Sequence, residues 1–373
     1  MNGARREFGR ALGALAAMLI SATCRAQMAT SPPILPRPAR SLNKRRLRLP
    51  LVKPRALRHG DVVGLIAPGG VVDDAIIGKC VGNLEALGFK VKVGKNIRSA
   101  RGGYAGTVAQ RLDDLHGMFL DNEVKAIWTA RGGSGCAAIL PGIQYAMIRR
   151  QAKILIGYSD ITALHLALNR YSRMVTFHGP VAWSTPNDYA ISQMQAVLMA
   201  PRPQTEIHMS IENERRAESQ PEFAVRRIRG GVAEGRLIGG NLSVLAALIG
   251  TPYAAEIKNH LLFLEDVGEA PYRVDRMLTQ LQQSEGRTGR LRGLDQVAGV
   301  MLGVFRRSSA PADDRSLTLE EVLDDHFALS DVPAVYGYSF GHIPQQFTIP
   351  MGVRARLDTN SKTLLLLESA VEG

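Results

Sequence analysis

Cysteine is scarce in this chain. Cys24, Cys80 and Cys136 are the only three in 373 residues, too few and too scattered for a disulfide framework or a four-ligand zinc site. Long apolar runs are missing beyond the N-terminus, where none reaches the roughly 18–20 residues a spanning helix needs. Acid is nearly absent from residues 1–55, in which Glu7 alone opposes twelve Arg and Lys side chains. The formal charge of +12 would suit a nucleic-acid or membrane-surface partner. Residues 1–55 carry +11 of it, however, and the other 318 residues only +1. Arg-Gly-Gly recurs at 101–103, 131–133 and 229–231, but as turns beside strand-like segments and not as an RNA-binding tail. What remains is ordinary globular composition, 45% hydrophobic and 21% charged, with length for about two domains.

The N-terminus reads as an appendage. Arg5-Arg6-Glu7-Phe8 is a twin-arginine pair before a short apolar stretch, Ala11–Ala22, and Ala26 suits a cleavage position. Residues 1–26 are therefore expected to be a twin-arginine-like export signal, which implies a periplasmic protein, or a cytoplasmic one if the signal is not functional. Residues 27–55 are rich in Pro and Arg and carry +8. They are expected to form an extended, solvated linker, able to associate with anionic envelope polymers.

Strand and helix patterns alternate from about residue 56 to 186: Val62–Ala67, a helix over Asp73–Leu87, Lys90–Val93, a helix over Ala109–Phe119, Val124–Ala130, Lys153–Gly157 and a helix over Ile161–Leu168. This interval predicts a parallel sheet with helices on both faces and ligands at the carboxyl ends of its strands. Residues 187–224 turn polar and read as an interdomain connection with one strand near Thr205–Met209. A second domain is expected over 225–373, closing in a hairpin of Val353–Asp358 and Thr363–Glu368.

Chemistry concentrates at Gly157-Tyr158-Ser159-Asp160, between an apolar strand and an amphipathic helix. A Ser on such a turn stands over the sheet edge, and the following amide can face a developing oxyanion. The match to the G-x-S-x-G elbow is incomplete, because Ile161 holds the last glycine position. Ser159 or Asp160 as a plain helix N-cap fits the same spacing. For a base, His342, flanked by Gly341 after the strand Ala334–Gly337, and His178, after a short strand, are the candidates among eight histidines. For an orienting acid, Glu265-Asp266 ends the apolar strand Leu261–Leu264. A competing pattern, Gly133-Ser134-Gly135-Cys136-Ala137-Ala138 with Asp160 further on, fits a dinucleotide fingerprint, although it does not follow the first strand of its domain.

Taken together these segments resemble the serine L,D-carboxypeptidases, the muramoyltetrapeptide carboxypeptidases, a family that includes the microcin immunity proteins. The likeness is carried by Leu65-Ile66-Ala67-Pro68, Arg111-Leu112-Asp113-Asp114-Leu115, Ala130-Arg131-Gly132-Gly133, Ile156–Ala163, Phe177-His178-Gly179-Pro180, Gly239–Leu242, Leu264-Glu265-Asp266, Tyr272–Leu278 and Phe340-Gly341-His342. The resemblance implies an N-terminal parallel-sheet α/β domain of glutamine-amidotransferase-like type and a smaller β-rich C-terminal α/β domain. It implies Ser159 as nucleophile, His342 as base and Glu265 as its orienting residue, joined across the domain interface. The Asp160 and Gly133 amides would hold the oxyanion, and Arg131 and Ser134 would line the substrate site. It further implies a homodimer without metal or cofactor, and removal of D-Ala from peptidoglycan tetrapeptides in cell-wall recycling. Hydrolysis of acyl-adenylate toxins, as in the immunity branch, and non-catalytic muropeptide binding are the alternatives. Two places depart from the family pattern: Ser134 stands where Tyr is usual, and Gly69-Gly70 replaces a more usual Ser after Pro68.

Overall fold

Three apolar segments, Val62–Ile66 (β1), Val124–Thr129 and Ile154–Gly157, are buried along almost their whole length. That is the pattern of parallel strands covered on both faces. The computed structural model describes residues 49–284, 293–310 and 315–373. The other strands of this first region are Lys90–Val93 (β2) and Thr176–His178 (β5), the two segments above being β3 and β4. Order β2-β1-β3-β4-β5 is parallel throughout, and the direction of winding reverses between β1 and β3. The crevice outside the carboxyl ends of β1 and β3 is where such sheets hold ligands.

A second sheet contains Thr205–Ile207 (β6), Arg226–Arg229 (β7), Val232–Asn241 (β8), His260–Glu265 (β9), Gly299–Val304 (β10) and Ala334–Gly341 (β11). After Ile349–Met351 (β12) it is completed by Arg354–Asp358 (β13) and Thr363–Leu366 (β14). Its order is β6-β14-β13-β8-β9-β10-β11-β7, with β8 to β11 parallel and the outer pairs antiparallel. The expected closing hairpin is β13–β14. The mixed α/β, two-domain architecture is as expected, but the second sheet is the larger, eight strands against six. One apolar core runs through both.

Three features differ from the sequence expectations. β12 leaves the second half of the chain and adds to the first sheet, Ile349 opposite His178 and Met351 opposite Thr176. Pro350 at its centre hides the strand signal, because proline is tolerated only at an edge such as this. The polar stretch after Asn187 holds more structure than one strand: the helix Asp188–Leu198 buries Met194, Val197 and Leu198. Finally, the end of the expected linker is part of the fold. Val52 bridges Met174, Arg55 bridges Glu372, and Lys53 pairs with Glu368 at 2.8 Å. The export segment and residues 27–48 lie outside the described residues.

Candidate active site

Gly157 ends β4, and a Cβ there would lie 2.2 Å from Thr129 Oγ1. Glycine therefore lets the strand turn tightly against its neighbour. Two residues later Ser159 takes φ 65°, a left-handed conformation rare for a side-chain-bearing residue. This is the strained elbow expected of a nucleophile held over a sheet edge. Ile161 at the missing glycine position is fully buried and packs into the space that Gly157 leaves open. His165, buried one turn on, has Nε2 2.9 Å from the Gly157 carbonyl. Burial pushes its pKa down to about 3, so the ring is neutral and the nitrogen donates. The cap reading fails, since neither Ser159 nor Asp160 makes a side-chain cap bond to the helix it precedes.

The Asp160 carboxylate instead accepts from the Cys136 amide at 2.9 Å. It thereby ties the loop Arg131–Gly135 to the elbow. Arg111, 4% exposed, completes the clamp by donating to the Pro68 and Gly135 carbonyls, each at 2.9 Å. Gly70 donates to the Gly132 carbonyl at 2.9 Å. Gly69 is equally confined, because a Cβ there would lie 2.7 Å from Asp160 Oδ2 and 2.8 Å from that same carbonyl. The glycines at 69 and 70 thus suit a loop drawn against Asp160. With its carboxylate committed to Cys136 and the helix after the loop only Cys136–Ile139, the dinucleotide fingerprint has neither its free acid nor its long helix.

Of the loop glycines, Gly132 stands nearest Ser159: a Cβ on it would meet Ser159 Cβ at 2.8 Å and Oγ at 3.0 Å. Gly133, expected to help hold the oxyanion, is exposed at φ 100°, and a Cβ on it would meet Gly70. Ser134 is exposed at the rim. Arg131 lies over the ring of Trp183, 5.7 Å from its centroid, with Lys79 at 5.8 Å from the same ring. Trp183 is 42% exposed, a site-side aromatic that sequence reasoning missed because it follows Pro180 without a motif of its own.

From the second sheet, Glu265 ends β9 with no exposure and His342 follows β11. His342 Nδ1 lies 2.7 Å from Glu265 Oε2. Gly341, at φ 115°, permits the approach, because a Cβ on it would lie 3.2 Å from Glu265 Cβ. Burial works against charge on either group, but each partner outweighs it for the other. The carboxylate and its hydrogen bond hold His342 above its ordinary pKa, and the imidazole holds Glu265 below its own. Asp266 points away, accepting from Asn241 Nδ2 and from the Ser243 amide and hydroxyl.

The two sheets meet at these ends. The Asn241 amide donates to Thr162 Oγ1 at 2.9 Å, joining the end of β8 to the helix behind Ser159. Tyr158, beside Ser159, packs edge-on against the His342 ring, centroids 4.9 Å apart. His178 is not the base. It is fully buried behind Tyr158 among Phe263 and Phe340, and burial lowers its pKa to about 4. His326, another of the eight histidines, pairs with Asp275 at 2.8 Å and is largely covered.

Family models match in two separate stretches, the LD-carboxypeptidase N-terminal domain over residues 63–179 and the LD-carboxypeptidase C-terminal domain over 234–357. The chain belongs to the LD-carboxypeptidase family. It is 37% identical to a probable murein peptide carboxypeptidase of Bacillus subtilis, over 86% of this chain and 96% of the relative. Among solved structures it is similar to a muramoyltetrapeptide carboxypeptidase from Oxalobacter formigenes, with TM-score 0.68 and 27% identity over 82% of this chain and 97% of the other. It is also similar to an MccF-like protein from Bacillus anthracis, with TM-score 0.73 and 27% identity over 84% and 99%. In this LD-carboxypeptidase both matched domains contribute to the site, Ser159 from the first and Glu265 and His342 from the second.

Proposed function

We propose that this LD-carboxypeptidase is a serine-type hydrolase that removes the terminal D-Ala of peptidoglycan tetrapeptides, cutting between the L-centre of the diamino acid and D-Ala. The observation that carries the reading is the 2.7 Å His342–Glu265 pair, its carboxylate fully buried, packed through Tyr158 against the strained Ser159 elbow. With Glu265 ionised, Nδ1–H donates to it and Nε2 is left as the acceptor. Ser159 Oγ attacks the scissile carbonyl and passes its proton to His342 Nε2. The Asp160 amide and an amide of the Gly132–Gly133 turn face the oxyanion. Collapse breaks the C–N bond, and His342 returns the proton to the departing D-Ala amine. Water then gives a proton to His342 as it attacks the acyl ester, which releases the shortened peptide and regenerates Ser159. Arg131 beside Trp183 is suited to a substrate carboxylate.

Purified protein is expected to release D-Ala from a tetrapeptide and not from a tripeptide, and Ser159→Ala to abolish the release while retaining the thermal transition. Full activity in that variant would overturn the nucleophile assignment. Because the fold likeness to the MccF-like protein is as strong as that to the carboxypeptidase, an acyl-adenylate analogue belongs in the same assay. Its preferential hydrolysis would move the substrate to that class. No labelling of Ser159 by a serine-directed phosphonate would leave a peptide-binding protein. The place of action rests on sequence alone: Arg5-Arg6 is proposed to direct export, and an Arg5→Lys, Arg6→Lys variant should then stay in the cytoplasm on fractionation.

A further inference from the structure

The end of the first sheet opposite the catalytic groups is also concave. A cavity of about 620 Å³ opens there, walled by the chain entering β1, the turn entering β3 and the segment entering β4. Its lining contains five basic residues, Arg55, Arg58, Lys125, Arg150 and Lys153. The acidic side chain that shares it is Asp61, which already accepts from the Arg58 amide at 2.8 Å, and Gly373 also lines it. None of the five cations has an ion-pair partner among the described residues, although twelve other Arg and Lys side chains do.

Lys153 marks the floor. It is only 9% exposed, and its Nζ donates to the backbone carbonyls of Met118, at 2.9 Å, and Asp121. Burial, reinforced by the nearby charge of Lys125, brings its pKa down to about 8, with Asp121 acting the other way. Lys125 spends one proton on the Asn122 carbonyl at 2.7 Å. Like charges thus converge on a hollow in which, among the described residues, Lys125 and Lys153 bond only neutral carbonyls. An anion seated there would relieve their repulsion and use the free guanidinium forks. The hollow also favours a compact ligand over a polymer laid along a flat strip.

We propose that this cavity is an anion site for a compact, multiply charged phosphate ligand of the diphosphate class, held by Arg58, Arg150 and Lys153 at the sheet end remote from catalysis. Phosphate suits arginine forks arranged around a lysine point charge. Occupation would keep Lys153 protonated through neutral pH. The site does not depend on the hydrolytic reading, since none of its residues belongs to the Ser159 region.

The test uses the full chain, with inorganic pyrophosphate as probe, in a calorimetric titration at low salt. Wild type should bind saturably, and the exposed double substitution Arg58→Ser, Arg150→Ser should weaken binding at least tenfold. Its thermal transition without pyrophosphate and its D-Ala release should match wild type. Lys153→Met gives a second arm and should also lose binding. Three results would overturn the proposal: no saturable binding, equal affinity in wild type and double variant, or a long-chain polyphosphate binding more tightly per site than pyrophosphate. If wild type binds pyrophosphate but releases no D-Ala, the hydrolase reading fails while the anion site stands.

Discussion

The Ser159 elbow and the Glu265–His342 pair are built in opposite ways. The elbow is local: Gly157, Ser159, Asp160, Ile161 and His165 lie within nine consecutive residues, and each constrains the next. The pair joins residues 77 apart in sequence. It exists because β9, β10 and β11 run parallel and deliver their carboxyl ends to one edge. A local motif stores its geometry in backbone strain, whereas a long-range pair stores it in a buried ion pair and in the packing of two sheets.

Substitutions separate these two kinds of construction. The largest loss is expected from Ser159→Ala, roughly 10⁴-fold or more in kcat by comparison with other serine hydrolases. Its melting temperature should equal or exceed that of wild type. A large drop in melting temperature would mean that the elbow stabilises the fold instead of straining it.

Glu265→Gln comes next, with roughly 10³- to 10⁴-fold lost in kcat/KM. It should also alter the pH profile. His342 must be neutral to accept the serine proton, and Glu265 raises its pKa, so wild-type activity falls as pH drops through that raised value. Without the carboxylate, burial alone acts on His342 and the acidic limb should move to lower pH. An unmoved limb would detach Glu265 from the base. The same pair bears on stability. The raised His342 pKa contributes stability that is present below its unfolded value and lost as pH rises through the folded one. The lowered Glu265 pKa contributes stability that is present above its unfolded value and lost as pH falls through the folded one. The pair's contribution is therefore confined between the two folded values.

Gly132→Ala should cost about 100-fold, since the new Cβ intrudes 2.8 Å from Ser159 Cβ on the side where an oxyanion would form. Tetrapeptide turnover with folding unchanged checks it, and near-wild-type activity would move the oxyanion pocket elsewhere. Asp160→Ala should cost about tenfold, because it frees the Cys136 amide but leaves the Asp160 amide in place. Asp160→Asn, still able to accept from Cys136, should recover most of that. The smallest effect is expected from deleting residues 27–48: turnover on soluble tetrapeptide unchanged, and release of any envelope-bound protein. The deletion must spare Val52, Lys53 and Ala56, which are tied into the body.

Much was legible from residue order alone. The parallel region announced itself through β1, β3 and β4, because strands buried on both faces must be apolar throughout. The elbow was legible as a turn, but its incomplete motif fitted a plain cap, and only Ser159's positive φ and Asp160's bond to Cys136 speak against that cap. β12 was not legible, since three residues around a proline carry no periodic signal and pair with a strand 173 positions earlier. Gly132, not Gly133, as the neighbour of Ser159 was equally hidden, because both are glycines of one loop and only their backbone angles differ.

Sequence by itself determined the class of chain: an α/β body, net charge confined to one end, and a Ser turn, acid strand end and Gly-flanked His able to form a catalytic set. Those follow from short-range rules of burial period, turn chemistry and charge. Which histidine meets the buried acid was a tertiary decision. His178 ends a strand and His342 follows one, and each adjoins a glycine, but packing seals the first among Phe263 and Phe340 and sets the second 2.7 Å from a buried carboxylate. Distance and desolvation between residues far apart in sequence decide a proton's path, and neither exists until the two sheets close on each other.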